Sequence, residues 1–360
     1  MPKDNENVPL PVWTNDAPED SGPAPFAPDQ MVRCDECLRA NPPTRINCLY
    51  CGAVLPHDET TVALQRPALR PLEKWEQGYN NILLPPVANL TTAQVAEASD
   101  LLRLGPEDLG RILASGMPLP LARAATLDEA QLVQRRLGML GIDTNIMPDA
   151  EPGTDAAGIV KVRALEIGKA GIYAYQSPEA PFVEVSWSDF TLLVIGRLIV
   201  KRVELKERKS ARAGAENSIL DSSEFITDET VVDFYTRKQM MPYRIAANSF
   251  DFSCLGSSKG LLAGENISRL LQLLRERAPQ VEYDDSFNSV RRILELIWPS
   301  EQQNESSGWR RERPGKYSVG SAMELNNETQ FSRYSRLRHL QTAGAPAGLA
   351  ERAPGDSGES

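Results

Sequence analysis

Histidine is nearly missing from this chain: there are two in 360 residues, His57 and His339. Triads and general acid–base chemistry built on imidazole therefore have almost nothing to draw on. Neither histidine flanks a serine or cysteine nucleophile in a recognisable setting. G-x-G-x-x-G, H-E-x-x-H and EF-hand loops are absent too, and Gly256-Ser-Ser-Lys259-Gly260 lacks the six-residue span of a phosphate loop. The adjacent acids Asp284-Asp285 read as dipole partners of a following helix. The expectation is a protein that is not an enzyme. Basic charge is also short: the net charge of -10 argues against broad capture of nucleic acid or of an anionic membrane surface. The longest apolar run, Phe190–Val200, is broken by Gly196 and Arg197, well short of the roughly 20 residues a membrane-spanning helix needs. MPKDNENVPLPVW lacks the basic-then-apolar order of a secretory signal, so the localisation expected is cytoplasmic.

Aromatic residues make up only 6% of the chain, while proline and glycine together number 51 (27 and 24), which marks some of it as linker. Hydrophobic residues at 41% and charged residues at 24% are ordinary for a soluble globular protein, and the length suits two or three domains.

Four of the five cysteines fall within eighteen residues as C-x2-C-x10-C-x2-C: Cys34, Cys37, Cys48 and Cys51. Each x2 pair places two thiolates on one tight turn, and two such turns face to face give a tetrahedral all-sulfur site. Zinc suits it best, as one structural Zn2+, because four thiolates close the coordination sphere and leave no position for an activated water. Disulfides need an oxidising compartment, and an iron–sulfur cluster is the other alternative. The fifth cysteine, Cys254, sits in the apolar phrase FDFSCLG and reads as a core thiol. The segment CDECLRANPPTRINCLYCGAVLP resembles the small zinc ribbons near the N-terminus of bacterial multi-domain proteins. Its spacing is also similar to that of Ran-binding-protein-type zinc fingers, including Asn41 four residues after the second cysteine. Those fingers carry a Trp shortly before the first cysteine, where this chain has Met31-Val32-Arg33.

The remainder divides into distinct textures. Residues 1–30 hold six acids, one lysine and seven prolines, and read as a disordered acidic arm. Residues 31–56 are the ribbon and 57–79 a linker with Trp75 as an anchor. Over 80–150, capping boxes at Thr91/Gln94 and Thr126/Glu129 open helices, Pro106 opens another, and Gly141 closes the last. The order is β-α-α-β-α-β. With the phrase LPLARAATLDEAQLVQRRLGMLGIDTNI it resembles the C-terminal domain of the ribosomal stalk protein and the related Clp-protease adaptor domain. That resemblance implies a protein-docking module without chemistry of its own.

From 155 to 300 short strands alternate with turns, and Ile267, Leu270, Leu271 and Leu274 line a helix. The phrases FVEVSWSDFTLLVIGR, VVDFYTR and PYRIAANSFDFSCLG resemble bacterial members of the pleckstrin-homology-like fold. Glu207–Asp221 reads as a long flexible insertion, and 301–340, with seven Lys/Arg against five acids, as a basic and aromatic extension. Residues 341–360 are Ala/Gly/Pro-rich and read as a disordered tail.

The fold class expected is therefore α+β and multi-domain: four-cysteine zinc ribbon, β-α-α-β-α-β module, then a PH-like β-barrel with C-terminal helices. The function expected is a non-catalytic adaptor or regulatory scaffold that docks protein partners. One alternative is RNA or DNA binding through Arg33, Arg39, Arg45 and Tyr50 of the ribbon and through the basic extension. Another is membrane-surface or phosphoinositide binding at Lys201, Arg202 and Lys206.

Overall fold

Two short strands, β1 (Val32–Arg33) and β2 (Ala40–Asn41), pair antiparallel around the first cysteine turn, just after a 3-10 turn at Pro28–Gln30. The computed structural model describes residues 26–56, 65–73, 75–87, 89–149, 158–177, 180–210, 218–313 and 316–343. Of the arm expected over 1–30, residues 1–25 lie outside the described residues, as do 57–64 of the linker, 211–217, and 344–360 of the tail expected from 341. Within those two expected segments Pro28–Gln30 form a 3-10 turn and the last helix runs to Thr342. The chain divides into two compact units, Met1–Arg66 and Pro67–Ser360.

In the second unit, β3 (Tyr79–Leu83) lies between β4 (Pro120–Ala124) and β5 (Thr144–Pro148) in an antiparallel sheet. Helices α1 (Thr92–Leu102), α2 (Pro106–Ala114) and α3 (Leu127–Met139) complete the β-α-α-β-α-β order. Thr91 and Gln94 form the reciprocal capping box that the sequence promises: the Gln94 N–H donates to Thr91 Oγ1, and the Thr91 N–H donates to Gln94 Oε1 at 2.8 Å. At the second box, the Glu129 N–H still donates to Thr126 Oγ1. The Glu129 carboxylate instead accepts from the N–H groups of Leu69 and Ala125.

The β-rich part begins with β6 (Val160–Val162) and the three-stranded meander β7 (Ala164–Ile167), β8 (Gly171–Tyr175) and β9 (Val183–Ser186). β10 (Phe190–Ser210), β11 (Ser218–Thr236) and β12 (Gln239–Ala246) form a second antiparallel meander, and α4 (Ala263–Arg277) follows. A core of Leu165, Ile172, Trp187, Phe190, Phe234 and Tyr243 lies between the two meanders, closed by Ile267, Leu270 and Leu274 of α4. The architecture is mixed α and β, with a curled, half-barrel-like sheet.

Two expectations change here. The insertion expected over Glu207–Asp221 is strand on both sides: β10 continues to Ser210 and β11 resumes at Ser218, in register from Arg208↔Ser218. The segment expected as a basic extension is built into the fold. β14 (Glu301–Arg313) and β15 (Lys316–Asn326) form a hairpin that pairs with β10 through β15, while β13 (Glu282–Asp284) pairs with β10 nearer its start. After α5 (Phe287–Leu294), the last helix, α6 (Glu328–Thr342), buries Phe331, Tyr334 and Leu337. Their 3-residue spacing is the helical stripe that drives the docking. The arginines between them point to carboxylates and carbonyls distant in sequence.

α6 also packs into one core with the β-α-α-β-α-β segment: Ile82, Leu109, Leu121 and Val133 share a cluster with Leu192, Tyr235, Phe287, Trp298, Phe331 and Tyr334. Polar contacts stitch the same junction. Trp298 Nε1 donates to Asn80 Oδ1 at 2.7 Å, and Asn80 Nδ2 donates to Asp149. Asp149 also takes Arg123 Nε at 2.9 Å, and Arg333 lies 3.7 Å away. Burial opposes ionisation of Asp149, but Arg123, Arg333 and the Asn80 amide win and hold its carboxyl below the usual range. Asp284 is also held low: burial opposes, while the Ser286 N–H, the Tyr334 hydroxyl and Arg338 favour the anion. A depressed carboxyl pKa contributes stability that is full above the unfolded value of about 3.9 and is lost as pH falls through the folded value. Thermal stability of the unit should therefore fall as pH drops below about 4, and Asp149→Asn should flatten that fall; an unchanged melting-temperature profile would contradict it.

Candidate metal centre

The ribbon is two near-identical cysteine turns. In the first, the Leu38 N–H donates to the Cys34 carbonyl and the Cys34 N–H to the Arg39 carbonyl. In the second, the Gly52 N–H donates to the Cys48 carbonyl and the Cys48 N–H to the Ala53 carbonyl. The residue after each pair takes a positive φ, 59° at Leu38 and 77° at Gly52. Glycine meets that requirement freely; Leu38 accepts a strained backbone of about 1 kcal/mol.

The turns bring all four predicted ligands together. Cys34 Sγ lies 3.6 Å from Cys51 Sγ, Cys37 Sγ lies 3.5 Å from Cys48 Sγ, and all four sulfurs fall within 4.8 Å of one another. A tetrahedron of sulfurs about 2.3 Å from a central ion has edges of about 3.8 Å. The spacing thus fits one tetrahedral ion and is far longer than a disulfide bond; all four cysteines are free thiols. The fifth, Cys254, packs against the β-meander core, where burial pushes its thiol up to about 11.

Asn41 ties the two turns to each other. Fully buried, it donates from Nδ2 to the Arg39 carbonyl at 3.0 Å and to Cys48 Sγ at 3.4 Å, and its Oδ1 accepts from the Leu49 N–H at 2.8 Å. The sequence shows this asparagine only as part of a family-like spacing; its role as the bridge between turns appears in the structure. Burial works against ionising Cys48, but the N–H groups of Tyr50 and Cys51 and the Asn41 amide outweigh it and bring the thiol down to about 6. Cys51 is eased toward the thiolate by the Ala53 N–H, yet desolvation and the three neighbouring sulfurs push it up to about 12. Four sulfurs at this spacing shed their last protons only against a cation, which is the electrostatic character of a metal-binding cluster.

No family model matches the chain, and no curated protein or solved structure matches it. The reading of this centre rests on its own geometry, and that geometry suggests a structural zinc site.

Asn41→Ala should weaken metal binding about 10–100-fold, the range for groups that orient a ligand without binding the ion. Competition with a chromophoric chelator measures this, and an unchanged affinity would contradict the bridging role. Acid should also release the metal, since protons compete for the same thiolates and affinity falls as pH falls.

The other sequence candidates are placed less favourably. Arg39 lies over the Tyr50 ring, 4.7 Å from its centroid, and Arg33 Nε donates to the Leu38 carbonyl. Lys201 pairs with Glu224 at 2.9 Å, and Arg202 is ringed by Glu204, Glu305 and Glu324. The Lys206 side chain lies outside the described residues. Phe331 and Tyr334 of the expected basic surface are core residues. Among the described residues, no helix is long and apolar enough to cross a membrane.

Proposed function

We propose that this chain is a non-catalytic, zinc-binding adaptor or regulatory scaffold that docks protein partners in the cytoplasm. One structural zinc is held by Cys34, Cys37, Cys48 and Cys51, and the ribbon it organises is a recognition surface. One observation carries the reading: a module this small leaves Leu38, Leu49, Tyr50 and Val54 exposed at 60%, 53%, 56% and 44%. Its own core is only Cys34, Cys48 and Leu55, with Val32, Cys37 and Ala53 against it. Apolar side chains gathered on the tips of metal-fixed turns are the composition of an interface centre.

The segment Tyr79–Pro148 is a docking module resembling the stalk-protein domain, and the two meanders closed by α4 are PH-like. A nucleic-acid role draws less support, because Arg39 of the ribbon lies over the Tyr50 ring and Arg333 and Arg338 of the extension face Asp149 and Asp284. A phosphoinositide role is disfavoured by the pairing of Lys201 and Arg202 with glutamates.

Affinity purification of the full chain, with and without nuclease, tests the proposal by mass spectrometry. Partners that survive nuclease, and that Leu49→Ser/Tyr50→Ser releases while zinc is retained, support it. Partners that vanish with nuclease, alongside co-purifying RNA or DNA, overturn it.

A further inference from the structure

The middle of β10 meets the end of α5 at a small cleft of about 260 Å³. Ile199 and Lys201 of β10 and Leu325 of β15 line it on the sheet side, and Arg291 and Arg292, in the last turn of α5, line it on the helix side. The acids nearby are already committed. Glu224 and Asp228, on the neighbouring strand β11, pair with Lys201 at 2.9 Å and Arg197 at 2.7 Å. Glu295 follows Arg291 by four residues, the spacing at which an acid and a base meet on a helix. Its carboxylate turns instead to Ser300, accepting from the N–H at 2.8 Å and the hydroxyl at 2.9 Å, and to Gln330 Nε2 at 2.9 Å. Among the described residues, neither Arg291 nor Arg292 has an ion-pair or side-chain hydrogen-bond partner. In a chain of net charge -10, two adjacent unpaired arginines on one cleft run against the overall sign.

We propose that this cleft binds the phosphate group of a small ligand, a function beyond the docking role and independent of it. Guanidinium forks match the oxygens of phosphate, and two of them suit a phosphomonoester, whose charge at neutral pH is about -1.5 to -2. A carboxylate, with a single charge, leaves one arginine unanswered. Size limits the rest of the ligand. Clefts for drug-sized molecules run to about 300–1,000 Å³, so this one takes a phosphomonoester of a few carbons, or the free ion. Ile199 and Leu325 offer those carbons an apolar contact beside the arginines. Lys201, held by Glu224, borders the site without supplying its unpaired charge. The last turn of a helix also favours positive charge, which lets α5 hold both arginines ready without an acid between them.

Isothermal titration calorimetry of the full chain, in phosphate-free buffer at about pH 7.5, tests this with glycerol phosphate and inorganic phosphate as probes. One saturable site per chain is expected, with glycerol phosphate the tighter probe. Arg291→Gln and Arg292→Gln should each raise its dissociation constant about tenfold or more, the loss of one charge-assisted contact. Arg277→Gln removes the same charge from the exposed end of α4 and should leave the affinity unchanged. Neither cleft arginine has a partner to lose, so both replacements spare the fold, and the melting temperature without ligand should match the parent. Equal affinity for inorganic phosphate supports the phosphate site and assigns it the free ion. No heat of binding and no rise in melting temperature with either probe at about 10 mM overturns the inference. Binding that survives both cleft replacements, or that falls equally with Arg277→Gln, overturns it too.

Discussion

Chelation of the metal is expected to unfold residues 26–56 while the unit from Pro67 keeps its cooperative melting transition. The ribbon has strands of two residues each and a core whose fully buried members are Cys34, Cys48 and Leu55. Burial of that size cannot offset ordering about thirty residues at 1–2 kcal/mol each. A structural zinc contributes about 10–16 kcal/mol at neutral pH, enough to reverse the balance. Trypsin gives the readout, since Arg33, Arg39 and Arg45 all lie inside the ribbon. The metal-loaded chain should resist cleavage there and the stripped chain should be cut quickly, with protection restored by zinc. Protection that survives complete chelation would show that the ribbon folds without metal.

The second large effect lies in the other unit. Arg244 and Asp233 form a buried bidentate pair at 2.7 and 2.8 Å, with side chains only 3% and 0% exposed. Arg244 also reaches Glu328 at 3.2 Å and Ser332 at 3.0 Å, and lies 5.0 Å from the centre of the Phe331 ring. This one side chain thus links β12 to β11 and to α6. Arg244→Met should cost about 3–5 kcal/mol, because it strands the Asp233 charge in the interior. Adding Asp233→Leu should recover most of the loss, since two apolar residues of similar bulk remove the uncompensated charge. Denaturant unfolding of the two variants measures both. A single variant within 1 kcal/mol of the parent, or a double variant no better than the single, would contradict this account.

Local signals in the sequence translated well into local structure. The paired x2 spacings led to four convergent sulfurs because each turn is closed by its own backbone bonds, which need no distant partner. Thr91/Gln94 marked a helix start for the same reason. What escaped notice depends on long-range partners. Residues 301–340 read as a basic and aromatic extension, and near its end Arg333, Arg336 and Arg338 dominate the composition. Their charged and carbonyl acceptors are Asp149, the carbonyls of Pro148 and Asp149, and Asp284, all distant in sequence, while Arg338 also donates to the nearby Gln341. The stripe Phe331, Tyr334, Leu337 was present all along and is the feature that the composition concealed.

The long ribbon was hidden by a related ambiguity. Lys201 to Lys209 has seven charged residues and only Val203 and Leu205 apolar, a composition shared by solvated loops and by exposed strands. Cross-strand pairing with β11 and β15 resolves it. Asn41 shows the limit at the metal centre: spacing flagged it, but only the fold reveals that it holds both turns.

Metal content is the most direct test of the central claim. Elemental analysis of the full chain, purified without added metal, should find one zinc per chain, lost in Cys34→Ser and kept in Cys254→Ser. Less than half an equivalent of zinc in the intact chain, with four titratable thiols, would contradict the account, as would iron in its place.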